Sequence, residues 1–220
     1  VDSADELNLA AANTLLKVIE EPPDEALVLL VSHTPGRLLA TIRSRCRRLI
    51  MAPLDEGQVA EFLSRHRPGI DGEEAAVLAR LAAGSPGRAL RLADSGALAL
   101  YGEMLALLAQ APKIDGEALH RLAERLGRAD AEPAYRTFME LFVDWLARLV
   151  RSGAAGTSPP EMVAGEDAVA RGLLAGRGLE HWTEVWEKVG RLAVRADRAN
   201  LERKQVVISA FTTLEAASRP

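Results

Sequence analysis

VLLVSHTPGRLLATIRSRCRR, residues Val28 to Arg48, is the stretch from which the fold of this 220-residue chain is read. An apolar run from Ala26 to Val31 sits between Pro22-Pro23 and Thr34-Pro35-Gly36, so it is expected to be a buried strand. Thr34 is placed to cap a following helix, and Pro35 suits its first turn, where a missing N–H costs nothing. That helix should end at Ser44-Arg45-Cys46. A strand, a turn and a short helix would carry Arg45 to the rim of a rigid element, with a long side chain free to reach outward.

Upstream, Asn8 is placed to cap a helix whose apolar residues Leu9, Ala12, Leu16 and Ile19 recur at helical spacing, with Leu15 widening the stripe. Pro22-Pro23 stops it. Downstream, Leu49, Ile50 and Met51 alternate imperfectly with Arg47 and Arg48, and a short edge strand ending at Pro53 is expected. Asp55 opens a helix carrying Val59, Phe62 and Leu63. Asp71 with Glu74 opens a second, over Val77, Leu78, Leu81 and Ala82, and Gly84 ends it. Ser85-Pro86 starts a third.

From about Ala97 the pattern is wholly helical. Tyr101, Met104, Leu105 and Leu108 form one stripe; Leu119, Leu122 and Leu126 form another. Pro133 opens the longest, with Phe138, Leu141, Phe142, Trp145, Leu146 and Leu149 on one face. Ser152 to Pro160 reads as a loop. Two helices follow, one from Leu179 to Asn200 over Trp182, Val185, Trp186, Val189 and Leu192, and one from Leu201 onward over Val206, Val207, Phe211 and Leu214. No repeat of fixed period is present.

Composition narrows the classes of function. The chain is 48% hydrophobic, 26% charged and 4% aromatic, and no apolar run is long enough to cross a bilayer, so a soluble, globular protein without a membrane partner is expected. The single cysteine, Cys46, excludes an internal disulfide and a thiolate zinc site within the chain, and points to a reducing, cytoplasmic setting. A net charge of −4 argues against a main task of gripping duplex DNA. The chain opens with Val1 at what reads as the end of a strand, so it is expected to be a fragment whose missing N-terminal part supplies the other strands.

Thr41-Ile42-Arg43-Ser44-Arg45-Cys46, about a dozen residues after a strand, resembles the Ser-Arg-Cys motif of bacterial clamp-loader subunits of the AAA+ class. Val1-Asp2-Ser3-Ala4-Asp5-Glu6-Leu7-Asn8 and Ala11 through Pro23 resemble that family's Walker B strand end and following helix, so consecutive landmarks agree. The resemblance implies a mainly α chain in three parts: 1–52, the C-terminal remnant of an AAA+ α/β domain; 53–95, a three-helix lid; and 97–216, a helical collar of five or six helices.

It also implies roles. Arg45, flanked by Ser44 and Cys46, would be an arginine finger acting in trans. Charge that builds on a transferring γ-phosphoryl group is stabilised by a guanidinium from a neighbouring subunit, worth roughly 10³ to 10⁵ in rate. A surface arginine in a weak ion pair is the plainer alternative. Arg37, Arg43, Arg47 and Arg48 surround it, either as an anion-attracting cluster or as a solvated basic face.

The chain's own nucleotide site departs from that of the motor-type relatives. Asp2 stands at the Walker B aspartate, but Ser3 replaces the glutamate that orients water; Asp5 and Glu6 read as capping residues rather than substitutes. Ser32-His33 stands where a threonine pair is usual. In Gly84-Ser85-Pro86-Gly87-Arg88, Gly87 occupies the lid-arginine position, and Arg88 points about 100° around the helix. The finger survives while the chain's own site is degenerate, a pattern similar to the delta-prime class of DNA polymerase III clamp loaders; Leu201 through Val206 is typical of that class's last helix.

The resemblance therefore implies a non-hydrolysing member of a heteropentamer with gamma/tau and delta subunits, meeting the sliding clamp and primed DNA through the complex. By that resemblance it would be part of a DNA-directed DNA polymerase holoenzyme, a nucleotidyltransferase assembly, with no ATPase activity of its own expected. No cofactor or metal is expected in the chain, with ATP and magnesium in neighbouring subunits. A gamma/tau-type ATPase motor is the first alternative, and a generic helical scaffold or DNA-binding bundle the second. The collar is expected to expose a large apolar patch. His66, His120 and His181 read as surface residues, and Trp145, Trp182 and Trp186 as core.

Overall fold

The computed structural model describes residues 1–157 and 161–219. They form two compact units, Val1–Ala52 and Pro53–Pro220. Eleven α-helices and three short 3₁₀ turns account for the regular structure among the described residues.

In the first unit, helix α1 (Leu9–Glu20) begins where Asn8 accepts the Ala11 N–H at 2.9 Å, and helix α2 (Ala40–Arg45) ends at Cys46. The expected strand is not a buried one. Val28 to Val31 is extended and pairs with the first residues of the chain: Val1 N donates to Leu29 O at 2.8 Å, Val31 N to Val1 O at 2.9 Å, and Ala4 N to Val31 O at 2.8 Å. Leu27 remains 82% and Leu29 68% exposed. The apolar pattern is that of a strand, and its two faces differ: Val28 and Leu30 are half-buried, while Leu27, Leu29 and Val31 have no covering layer among the described residues. The edge strand expected before Pro53 is likewise not assigned, and Leu49, Ile50 and Met51 are exposed.

The single helix expected after Thr34 is two pieces. A 3₁₀ turn, Pro35–Arg37, gives way at Leu38 and Leu39 to extended or otherwise non-helical backbone before α2, and Thr34 makes no side-chain cap. Pro35 sits at the first position of the turn as its ring geometry favours. Ala4, Ala12 and Ile42 are the buried apolar residues of this unit.

The second unit opens with three short helices, α3 (Glu56–His66), α4 (Gly72–Leu81) and α5 (Pro86–Asp94). Asp55 forms a complete capping box, taking the Gln58 N–H at 2.8 Å while Gln58 accepts the Asp55 N–H at 3.1 Å. Asp71 and Ser85 cap α4 and α5 with one bond each. Between them Gly84 takes φ +82°, and a Cβ there would lie 2.4 Å from Pro53 Cβ and 2.7 Å from Leu54 O. Only glycine fits, because the Leu54 N–H must reach Gly84 O at 3.0 Å.

Six helices follow: α6 (Ala97–Leu108), α7 (Gly116–Gly127), α8 (Glu132–Ala155), α9 (Glu166–Gly176), α10 (Leu179–Ala199) and α11 (Arg203–Ser218). The loop expected from Ser152 begins later, since α8 continues to Ala155 and closes on Gly156 at φ +62°; residues 158–160 of that loop lie outside the described part. Helix α9 has no counterpart in the sequence reading. Its stretch is alanine-rich, with few large apolar residues to mark a stripe. Phe138, Phe142 and Phe211 meet at the centre, ring centroids 5.0 to 6.2 Å apart. Trp145 and Trp182 are fully buried beside them, and Trp186 is half-buried. Tyr101, Met104, Leu108, Leu122 and Leu149 are all buried, as the helical spacing requires.

Candidate functional site

Arg45 is the last residue of α2, and its position follows from the local sequence. Ile42, buried to 1% exposure, anchors the helix, and Arg45, three residues on, leaves the helix at its last position. The guanidinium is half-exposed and turned back on its own unit. Its Nη1 donates to Thr41 O at 3.1 Å and to Ser44 Oγ at 3.4 Å, and its Nη2 pairs with Glu20 Oε1 at 2.9 Å. Ser44 Oγ donates to Thr41 O at 3.0 Å, and Cys46 is an exposed free thiol. The three residues of the motif therefore stand together, joined to the end of α1 through Glu20.

Among the neighbouring arginines, Arg43 Nη1 donates to Pro35 O at 3.4 Å. Arg37, Arg47 and Arg48 are exposed and have no carboxylate partner among the described residues. The basic cluster is thus solvated rather than folded into an ion-pair network.

Asp2, Ser3 and His33, three of the four residues read as a degenerate nucleotide site, share one end of the extended pair. Asp2 accepts the Ser3 N–H at 2.9 Å, and Ser3 adopts a left-handed conformation at φ 49°. Asp5 has a role that capping did not foresee. Its two carboxylate oxygens take the N–H groups of His33 and Thr34, each at 3.1 Å, and pin the far end of the Val28–Val31 segment. Desolvation pushes the Asp5 carboxyl up, but hydrogen bonds from the backbone of Asp5, His33 and Thr34 together outweigh it and hold it below its ordinary 3.8. The His33 side chain is exposed.

Gly87, in the second unit, faces open space where a side chain would project. Arg88 is turned to α8, with Nε 2.9 Å from Glu140 Oε1 and Nη2 paired with Asp144. Its side chain is 18% exposed, so it acts as an internal strut between α5 and α8. The sequence separation of more than fifty residues hid this role.

A second polar cluster went unread for the same reason. Glu166 is fully buried; its Oε1 accepts from Tyr101 Oη at 2.7 Å and from Arg148 Nη2 at 2.9 Å, and its Oε2 accepts the Met162 N–H at 2.9 Å. Arg80 of α4 donates to Met162 O at 3.1 Å. Burial pushes the Tyr101 phenol well above its ordinary value. The Glu166 carboxylate is fully engaged inside the bundle, while Arg80 Nε and Arg148 Nε are buried without a hydrogen-bond partner among the described residues.

His66 and His120 are exposed, each with Nδ1 2.8 Å from a carbonyl one turn earlier. His181 departs from the surface reading: it is half-buried, with Nε2 3.1 Å from Ala217 O. Among the described residues, no row of strongly exposed apolar side chains makes up the patch expected on the bundle. Strongly exposed large apolar residues concentrate on Val1–Ala52, and on α6 to α11 Val194 alone is of that kind among the described residues. What the bundle has instead is a groove of about 1440 Å³ between α8 and α10, with Met139, Val143 and Trp186 on its walls. No helix among the described residues is long and apolar enough to cross a membrane.

Comparison with known proteins places likenesses on both units. Residues 1–55 match the family model described as DNA polymerase III, delta subunit. The chain is 51% identical over 85 residues to the DNA polymerase III subunit delta′ of Escherichia coli (strain K12), covering 38% of this chain and 25% of that protein. With the delta′ subunit of Yersinia pestis it shares 33% identity over 147 residues, 65% of this chain and 43% of the relative. The DNA polymerase III subunit tau of Escherichia coli is 29% identical over 159 residues, 68% of this chain and 25% of the relative. The chain thus spans less than half the length of these curated relatives.

Proposed function

We propose that this chain, a DNA polymerase III clamp-loader subunit of the delta-prime type by those matches, lends Arg45 to the ATP site of a neighbouring subunit and does not hydrolyse ATP itself. The observation that carries the reading is the contrast between two sets of residues. Arg45 is held at the end of α2 with its guanidinium half in water, where another subunit can reach it. Ser3 supplies no carboxylate beside Asp2, Gly87 supplies no side chain toward the lid position, and Arg88 is committed to Glu140 and Asp144.

The chemistry follows from charge. As a γ-phosphoryl group transfers, negative charge spreads over its oxygens, and a planar guanidinium that stays protonated is suited to meet it. ATP and magnesium would sit in the neighbour, and this chain would contribute the finger alone. Within a heteropentamer with gamma/tau and delta subunits, it would act on the sliding clamp and primed DNA through the complex.

The test is Arg45→Ala in the assembled loader. Hydrolysis at the adjacent site should fall by about 10³-fold or more, with the circular dichroism and melting of this chain unchanged, because an exposed pair contributes little to folding. Normal hydrolysis by that variant would remove the finger. The similarity to tau favours a motor as the second reading; ATP binding by the full-length protein in calorimetry, with hydrolysis lost on Asp2→Ala, would establish it.

A further inference from the structure

Arg45 faces inward as well as outward, and what it faces is specific. Of the five arginines between Arg37 and Arg48, it alone has a carboxylate partner among the described residues, Glu20 at 2.9 Å. Glu20 ends α1, and neither Glu21 nor Asp24 next to it forms an ion pair there. The other acceptors, Thr41 O and Ser44 Oγ, also belong to this unit, so both terminal nitrogens are turned back on it, Nη1 along α2 and Nη2 to the end of α1. Both side chains of the pair are 43% exposed. Solvent screens such a pair, and its release costs little.

We propose that Glu20 is a latch that holds Arg45 against its own unit until a triphosphate on the neighbouring subunit draws the guanidinium away. The inference rests on the finger reading above. A carboxylate carries one negative charge, and a nucleoside triphosphate carries several with oxygens in matching pairs, so the exchange runs toward the phosphate when the neighbour is loaded. When it is empty, Glu20 lowers the fraction of arginine ready to act, and the apparent engagement falls by that fraction. Glu20 is thus a positioning residue that acts through Arg45.

The experiment compares Glu20→Gln, Glu20→Asp, Arg45→Ala and the double variant E20Q/R45A in the assembled loader, with ATP below saturation. Freeing the arginine should raise hydrolysis about two- to five-fold in E20Q at low salt, the range an exposed pair spans, with E20D between E20Q and the parent. The gain should shrink as salt rises, and E20Q/R45A should equal R45A. If R45A is slow while E20Q is unchanged or slower, the latch is wrong and the finger stands. If R45A hydrolyses at the normal rate, the finger fails and the latch with it. An E20Q gain that survives in the double variant would also overturn the latch, since it would not pass through Arg45.

Discussion

Val1–Ala52 and the α3–α11 unit are built from similar apolar residues, yet among the described residues the second buries far more of what it carries. In the first, Leu27, Leu29, Leu49, Ile50 and Met51 are exposed and the buried apolar set is Ala4, Ala12 and Ile42. In the second, α6, α7, α8, α10 and α11 surround Phe138, Phe142, Trp145 and Phe211 with no strongly exposed aromatic. An apolar run is stabilising only to the extent that another element removes it from water, at about 25 cal/mol per Å². The first unit makes its order from backbone pairing and from one carboxylate clamp. The second makes it from side-chain packing.

The largest effect expected on stability tests the packed side of this contrast. Glu166→Ala should cost about 3–5 kcal/mol in chemical denaturation, because Arg148 would be left buried without its partner, and Phe142→Ala should cost a similar amount through its cavity. Leu29→Ala should change stability by less than about 0.5 kcal/mol, as for other exposed sites. Near-equal losses for Leu29→Ala and Phe142→Ala would break the comparison.

The two units share one device, the capped helix start, and this sharpens the contrast at smaller scale. Asp55→Ala removes the carboxylate half of a reciprocal box and should cost about 1 kcal/mol. Asn8→Ala removes a single bond to Ala11 and should cost less, seen as faster amide exchange in the first turn of α1.

The smallest effect is a matter of pH. Asp94 is held below 3.8 first by hydrogen bonding to Arg67 and then by its charge; Asp5 is held below 3.8 because backbone N–H bonds outweigh desolvation. In both, the folded value lies below the unfolded one, so the stabilisation is fully present above about 3.8 and is lost as pH falls through the folded value. Carboxyl titration by NMR should show both midpoints depressed. Salt should raise that of Asp94 more, since a charged partner is screened and a backbone amide is not.

Helix starts were legible because they depend on neighbours in sequence: Asn8, Asp55, Asp71 and Ser85 each cap the helix expected of them. The stripes of α6, α7, α8 and α10 were legible for the same reason, their period matching the helix. Thr34 misled, because the chain leaves helical geometry at Leu38 and Leu39 before α2 begins. Of the candidate site, Ser44, Arg45 and Cys46 were readable as a motif, and Asp2, Ser3, His33 and Gly87 as departures from one. Glu20, Arg88 and Glu166 were not, since each acts across 18 to 65 positions of sequence.

Sequence by itself determined where helices begin, which residues face inward along them, and that one arginine follows a serine and precedes a cysteine at a helix end. Tertiary structure decided which charges meet: Arg45 with Glu20, Arg88 with Asp144, and Arg148 with Glu166. It also decided that Val28 and Leu30 are half-buried while Leu27, Leu29 and Val31 are exposed. Periodicity and capping are local energies, set within a turn or two of chain, whereas burial and ion pairing depend on which distant surfaces arrive.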